Sequence, residues 1–591
     1  MPTNEPDMPN AEAQRPPAPP QTGYAVALGI AAAAGVAALA VAAVLAHDLA
    51  RDRPGDLLEP DELARLRARL ARTPKDAQLA ERIRQVDLDL RREYFAHVTR
   101  ARFGHYLLLG GLGVFLAGAA AAAALARRIP HPSGKPADVA QEMRGVRRGR
   151  RAVTILGGLL VVGALAPLGV QAYIRLTAVP PPPPHTADPE EVARNWPRFR
   201  GPGGLGTSAY TNIPTEWDAN TGRNILWKTP VPLPGKSSPI VWGGRIFLTG
   251  AKRDRREVYG FDAVTGKRLW TAEVRDIRGS PPRSKSAYEE TGYAAPTPVC
   301  DDERVFALFP NGDLACFDHA GRRVWATGLG QPDNQYTHGS SLAMYRNLVL
   351  VLWDQGSLED YMSKLLAFDG ETGRLAWQKR RPVGSSWATP ALVDDDARPQ
   401  LLTSANPWVI SYDPGDGREL WRAKCMDGAD AASSAVYAGS VAYAVSAETE
   451  LYAIGADGAG DVTETHVRWS ADEGLPDLTS PLTDGKRVWL LQTGGTLTCY
   501  DAGSGKKLYD HELEKMFNAS PSLVGETIYL VTTKGVTFVV GAGAEFKLLH
   551  TNPLGEVVYA CPAFADGRMY LRGRKHLFCI AEKTDPPAAD R

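Results

Sequence analysis

The chain has 591 residues, with 67 Lys plus Arg against 67 Asp plus Glu, 44% hydrophobic and 23% charged residues. That length is several times the roughly 100 to 200 residues of one domain and excludes a single small fold, and the balanced charge excludes a whole-chain footprint for nucleic acid. Gly at 58 and Pro at 45 exceed average usage and signal many turns, while six cysteines without a CxxC or an adjacent pair exclude a zinc motif and a dense disulfide framework.

Residues 1–23 form a Pro-rich stretch expected to be disordered. Three segments, 24–46, 106–126 and 152–174, carry no charged side chain, and each reaches the about 20 residues a bilayer crossing needs. They are predicted transmembrane helices. Between the first two, residues 47–105 read as an extramembrane helical hairpin: Leu63, Leu66 and Leu70 make one apolar stripe, Leu79, Ile83, Val86 and Leu90 another, with Thr73 and Pro74 capping the second helix. Residues 127–151 hold eight basic and two acidic side chains, which predicts a cytoplasmic loop. Three crossings then place the N-terminus in the cytoplasm and everything after residue 174 on the periplasmic side of the inner membrane. Residues 175–194, with prolines at 180–184, read as a stiff linker.

From about residue 195 to 583 the chain repeats itself. A small residue and Pro, then an apolar strand, a turn and a second strand, occurs at Ser238, Thr297, Thr389, Ser480, Ser520 and Cys561, with Ser341 and Ser434 filling two gaps. Successive starts lie 59, 44, 48, 45, 46, 40 and 41 residues apart, the length of a four-stranded propeller blade. A closing phrase joins an aromatic residue and Asp to a Gly turn and a second aromatic, as in Phe261, Asp262, Gly266 and Trp270, and again ending at Trp325, Trp377, Trp421 and Tyr509. The last repeat holds only three strands before residues 584–591, a tail expected to be disordered. Residues 221–230, with Trp227, reproduce the closing phrase with no start before it, and predict the missing outer strand of that blade. The fold class is therefore an all-β eight-bladed propeller of four-stranded antiparallel blades, preceded by an α-helical membrane region with three transmembrane helices and a helical hairpin.

The start phrase, the aromatic-Asp-x-x-Thr-Gly-x-x-x-Trp closing phrase and the run Trp196-Pro197-Arg198-Phe199-Arg200-Gly201-Pro202 resemble the PQQ-like β-propeller repeat proteins of the quinoprotein alcohol dehydrogenase-like superfamily. The resemblance implies eight blades and two functional classes. One comprises quinone-dependent dehydrogenases, for which it implies a calcium ion beside the quinone, acidic and amide ligands, a catalytic Asp, an aromatic floor and a disulfide between adjacent cysteines. The other comprises scaffolds such as the outer-membrane protein assembly factor. Here no two cysteines are adjacent, and residues 252–286 are the one evident excess over minimal blades. The expectation is a non-catalytic protein-binding or scaffold module at the cell envelope with no cofactor and another envelope protein as partner. PQQ with calcium belongs only to the alternative, an alcohol or sugar dehydrogenase.

Other motifs fail on context. Gly201-x-Gly203-x-x-Gly206 matches a dinucleotide fingerprint but has Pro202 inside it and no helix after it, and Pro234-Gly235-Lys236-Ser237 leads into a strand rather than a helix. The residues just before the start phrases should crowd the mouth of the central funnel, which makes Lys236, His338, Trp387, Asn518 and Tyr559 the candidate ligand-binding set. Cys316, Cys499 and Cys579 fall at equivalent strand positions and read as small buried side chains.

Overall fold

The computed structural model describes residues 21–51, 108, 110–125 and 186–583, apart from 282, 290, 395–397, 428–429 and 448. They belong to two compact units, Met1–Pro181 and Pro182–Arg591. The predicted hairpin at 61–104, the basic loop 127–151, the third predicted span 152–174 and the tail 584–591 lie outside the described residues.

In the first unit a helix, Gln21–Arg51, encloses the first predicted span, and residues 110–125 form a helix inside the second. The two run antiparallel with small residues at the seam: a Cβ on Gly118 would come 3.1 Å from Ala31, and one on Gly111 3.3 Å from Ala38. Ala27, Ala31, Ala38 and Ala122 are buried, while Val26, Ile30, Val36, Leu39, Val114 and Leu116 are exposed. Among the described residues no helix is long and apolar enough to cross a membrane; in Gln21–Arg51 the described side chains are only those of Tyr24 and residues 26–42.

The second unit is a ring of eight sheets, each built on four antiparallel strands; two add a short parallel fifth, Thr207–Ser208 beside Ser522–Val524 and Gly460–Asp461 beside Glu419–Lys424. The first blade runs outward from the axis as Ile240–Trp242, Arg245–Lys252, Arg255–Asp262 and Arg268–Glu273. The other inner strands, Val299–Cys300, Ala343–Tyr345, Ala391–Val393, Val436–Ala438, Leu482–Thr483, Ser522–Val524 and Ala563–Ala565, each follow one of the predicted starts. Their apolar runs are buried on both faces because neighbouring blades cover them. In the last blade Ala563–Ala565, Arg568–Arg572 and His576–Ile580 are completed by Ile225–Pro230, which pairs Trp227 with Cys579 and Thr229 with Leu577. The chain ends thus share one blade, as the orphan closing phrase predicts, and no edge strand is left at the seam.

The closing aromatics hold blade to blade. Trp270 Nε1 donates to the His319 carbonyl at 3.0 Å, Trp325 to Gly370 at 2.8 Å and Trp469 to Ala502 at 3.0 Å, each reaching into the next blade. Their rings lie flat on the next turn glycine: at Gly266, with φ +68°, a Cβ would stand 2.5 Å from Trp227. The same rings need a small residue across the strand pair. Trp270 faces Gly260, Trp377 faces Ala367, Trp325 faces Cys316 and Trp227 faces Cys579. Cysteine here is a small apolar filler, and all six cysteines are free and buried. The closing-phrase Asp organises the turn: Asp262 Oδ1 accepts from Thr265 N at 2.7 Å and Thr265 Oγ1 at 2.8 Å.

Charged pairs are sealed between blades. Arg381 and Asp354 are both fully buried, with Nε to Oδ1 at 2.8 Å and Nη2 to Oδ2 at 3.2 Å. Arg381 also donates to Thr403 Oγ1 at 2.7 Å in the next blade, and Ser386 Oγ donates to Asp354 Oδ2 at 2.7 Å. Arg304 forms a comparable pair with Asp301 at 2.9 Å and reaches Asn347 of the following blade.

Candidate functional site: a ringed cavity on the propeller axis

The eight start residues form a closed circle of hydrogen bonds. The backbone N–H of each donates to the side chain of the next blade's start residue: Ser238 to Thr297 (2.9 Å), Thr297 to Ser341 (3.0 Å), Ser341 to Thr389 (3.0 Å), Thr389 to Ser434 (2.9 Å), Ser434 to Ser480 (3.1 Å) and Ser480 to Ser520 (2.9 Å). Ser520 N then donates to Cys561 Sγ at 3.2 Å, and Cys561 N to Ser238 Oγ at 3.1 Å, closing the circle. An inner-strand N–H at the axis has no sheet partner on that side, so a hydroxyl at this position satisfies a donor that burial would otherwise orphan. Burial pushes the Cys561 thiol up, against the pull of the nearby Arg200.

This circle is the lower wall of a cavity of about 120 Å³. The upper wall is the residue two positions before each start: Lys236, Ala295, Gly339, Trp387, Ala432, Leu478, Asn518 and Tyr559. Extended chain sends alternate side chains to opposite sides, so these eight face the channel, while Ser237, Ser340, Ser433 and Thr479 between them are buried.

Four of the five predicted site residues, Lys236, Trp387, Asn518 and Tyr559, therefore meet on one wall, with the Lys236 ammonium 4.4 Å from the centre of the Tyr559 ring. His338 is corrected. It lies three residues before Ser341 rather than two, and that one-residue offset turns it behind the wall while Gly339 takes the lining position. Its ring packs 4.7 Å from that of Trp353, Nε2 has no hydrogen-bond partner, and burial holds the imidazole down to about 4. Below its ordinary value of 6.5 the unfolded chain binds a proton that the folded chain refuses. The stabilisation is complete above pH 6.5 and is lost as pH falls towards 4, by about 3 kcal/mol in all. Urea midpoints at pH 7 and 4.5 should show a smaller acid loss in His338→Gln than in the wild type; parallel losses would refute the assignment.

The floor comes from the segment before the first blade. Trp196 bridges to Val241 and meets Phe564 edge-on at 5.2 Å, and the Pro197 carbonyl accepts from Cys300 N at 2.9 Å. Arg198 donates to the carbonyl of Pro390, and Arg200 to those of Pro481 (2.7 Å) and Leu205 (3.2 Å). Phe199, between the two arginines, lines the cavity. Both arginines are buried, burial pulls both guanidinium groups down to about 10, and among the described residues neither has a carboxylate partner. Arg572 is a third such group: its Nη1 donates to Ser237 Oγ at 2.6 Å and to the Thr249 carbonyl at 2.8 Å, and burial likewise lowers it to about 10. The sequence gives the hydroxyl circle away through the small residue of each start phrase. Arg198 and Arg200 belong to the run that carries the family resemblance, but nothing in that run shows that they lie beneath the circle.

The residues present do not fit a quinone with calcium. Calcium takes six to eight oxygens with carboxylates prominent among them, and among the described residues this wall offers hydroxyls, one amide and an ammonium but no carboxylate. Among the described residues no three His, Cys, Asp or Glu are placed to hold a metal. Pockets for drug-sized ligands run to about 300 Å³ or more, and this one is well below that.

The family model described as outer membrane protein assembly factor BamB matches residues 208–396 and 405–535. No curated protein is matched. Among solved structures, BamB from Moraxella catarrhalis is 14% identical, with 61% of this chain and 99% of that one covered and a TM-score of 0.46. A quinohemoprotein alcohol dehydrogenase from Pseudomonas putida HK5 is 13% identical over 68% of this chain and 84% of that one, TM-score 0.48. One from Comamonas testosteroni is 13% identical over 67% and 82%, TM-score 0.49.

Proposed function

For a chain that belongs to the BamB family of propellers, we propose a membrane-anchored, non-catalytic scaffold that docks another envelope protein on the face of the propeller around the cavity mouth. The observation that carries this reading is the set of large apolar side chains exposed at that end: Tyr288, Leu358, Tyr361, Leu478 and Met516. All sit on connections that lead into a start phrase or join the second strand of a blade to the third, and antiparallel order brings both kinds to the same end. Tyr288 continues inward as an aromatic series, 5.2 Å to Tyr336 and 5.2 Å from there to Trp387 on the cavity wall. Exposed Tyr and Met beside a polar centre have the composition of a protein-docking patch rather than of ordinary surface.

The anchor is part of the proposal. Helices with alanines at their seam and Val, Leu and Ile on their outer surface suit lipid better than water. The basic bias of residues 127–151 favours the cytoplasm for that loop and the periplasm for the propeller. Alkaline phosphatase fused after Pro184 should be active and a fusion at Lys135 inactive; the reverse pattern would sink the orientation. Docking is tested by crosslinking in native membranes. Tyr361→Asp with Met516→Asp should abolish the crosslinked species, and Leu375→Asp, on an outer strand, should retain it. Crosslinks that survive the mouth substitutions would remove this face from consideration.

A further inference from the structure

Seven hydroxyls of the circle, on Ser238, Thr297, Ser341, Thr389, Ser434, Ser480 and Ser520, each accept a backbone N–H. A hydroxyl also has one proton to donate; Ser238 and Ser520 direct theirs at the Cys561 sulfur, and among the described residues the other five donate theirs to no protein acceptor. All seven line the same cavity. Five of the seven thus accept from the protein and keep their protons for the channel.

Charge points the same way. Among the described residues that line the cavity Lys236 alone is charged, and its ammonium also donates to the Glu289 carbonyl. Arg198 and Arg200 flank the floor residue Phe199 and bind start-phrase carbonyls, while Arg572 binds Ser237, beside the circle. Among the described residues these three buried guanidinium groups face no carboxylate, and the Nε of each has no hydrogen-bond partner. Buried cations without a counter-charge are costly. We propose that this cavity is a binding site for a small inorganic oxyanion of the phosphate or sulfate class, its oxygens taking the hydroxyl protons and its charge offsetting the three buried guanidinium groups beside it. Water alone would take those protons but would leave the three guanidinium groups uncompensated. The space suffices: one water needs about 10–15 Å³ on this measure, so about 120 Å³ holds a tetrahedral oxyanion with several waters.

The site goes beyond the docking reading and is tested without any partner, so either can fail alone. The experiment is a phosphate titration of the purified full chain in detergent, followed by ³¹P line broadening at constant ionic strength and with sulfate as competitor. Saturable broadening that sulfate reverses is expected. Lys236→Gln, which touches no bond of the circle, should weaken it about tenfold, Ser480→Ala should weaken it severalfold, and Leu375→Gln should leave it unchanged. Broadening that does not saturate, or that Lys236→Gln leaves untouched in a chain with wild-type melting, overturns the site, whatever Ser480→Ala does to folding.

Discussion

A chain that begins at Val231 will not give a cooperative melt, whereas one that begins at Thr186 will. The difference is the strand Ile225–Pro230, without which the last blade keeps three strands and His576–Ile580 becomes an open edge. Leu577, Phe578, Cys579 and Ile580 are fully buried in the closed ring, so the open form would present a row of unpaired backbone groups backed by apolar side chains, a template for aggregation. The shorter chain also loses the cavity floor, and a point substitution separates the two effects. Trp227 donates to the Ala263 carbonyl at 3.3 Å, lies 6.0 Å from the Tyr570 ring and covers Gly266 of the first blade. Because it is half-buried, Trp227→Ala should cost about 3 kcal/mol, the low end for large aromatic truncations. Urea denaturation of the chain from residue 186 measures it, and an unchanged midpoint would refute the shared blade.

Asp354→Leu should be the most damaging single substitution inside a blade. It leaves the Arg381 guanidinium buried, with Thr403 Oγ1 and Tyr412 Oη as its remaining partners, at 2.7 and 3.3 Å. Removing one member of a buried ion pair costs about 3–5 kcal/mol, while replacing both by apolar residues of similar volume is often neutral. The double variant Asp354→Leu with Arg381→Met should therefore recover most of the loss. Denaturation midpoints of the two single variants and the double variant test this, and simple additivity would show that the charges do not act as a pair.

The repeat was legible because blade building is local. Each start phrase and each closing phrase lies within one hairpin, so Thr297 and Trp325 identify the second blade without knowledge of any other. The two starts without proline, Ser341 and Ser434, were found from spacing alone, and both take their places in the hydrogen-bonded circle. Trp227 is legible for the same reason, since its closing phrase is complete within residues 221–230. What the sequence hides is whatever joins blades. Asp354 and Arg381 stand 27 positions apart, and Thr403 another 22, with no periodic pattern linking them. The wall residues show the limit more finely. A count of two before the start gives Lys236, Trp387, Asn518 and Tyr559, and Gly339 in place of His338. Nothing in the chemistry of the small residues Ala295, Gly339 and Ala432 advertises a site, yet their size keeps the channel open.

The circle of start residues also has a sense of rotation. Every N–H points to the next blade in the same direction, so eight bond dipoles run head to tail around the axis. Each bond starts from a backbone N–H and ends on a side chain, so the eight act as separate ties between blades, and vectors arranged around a closed circle cancel. The circle therefore stiffens the centre of the propeller without imposing a field along the channel. The potential on the axis is left to the point charges of Lys236, Arg198, Arg200 and Arg572, and substitutions there can retune it without loosening the joint between blades.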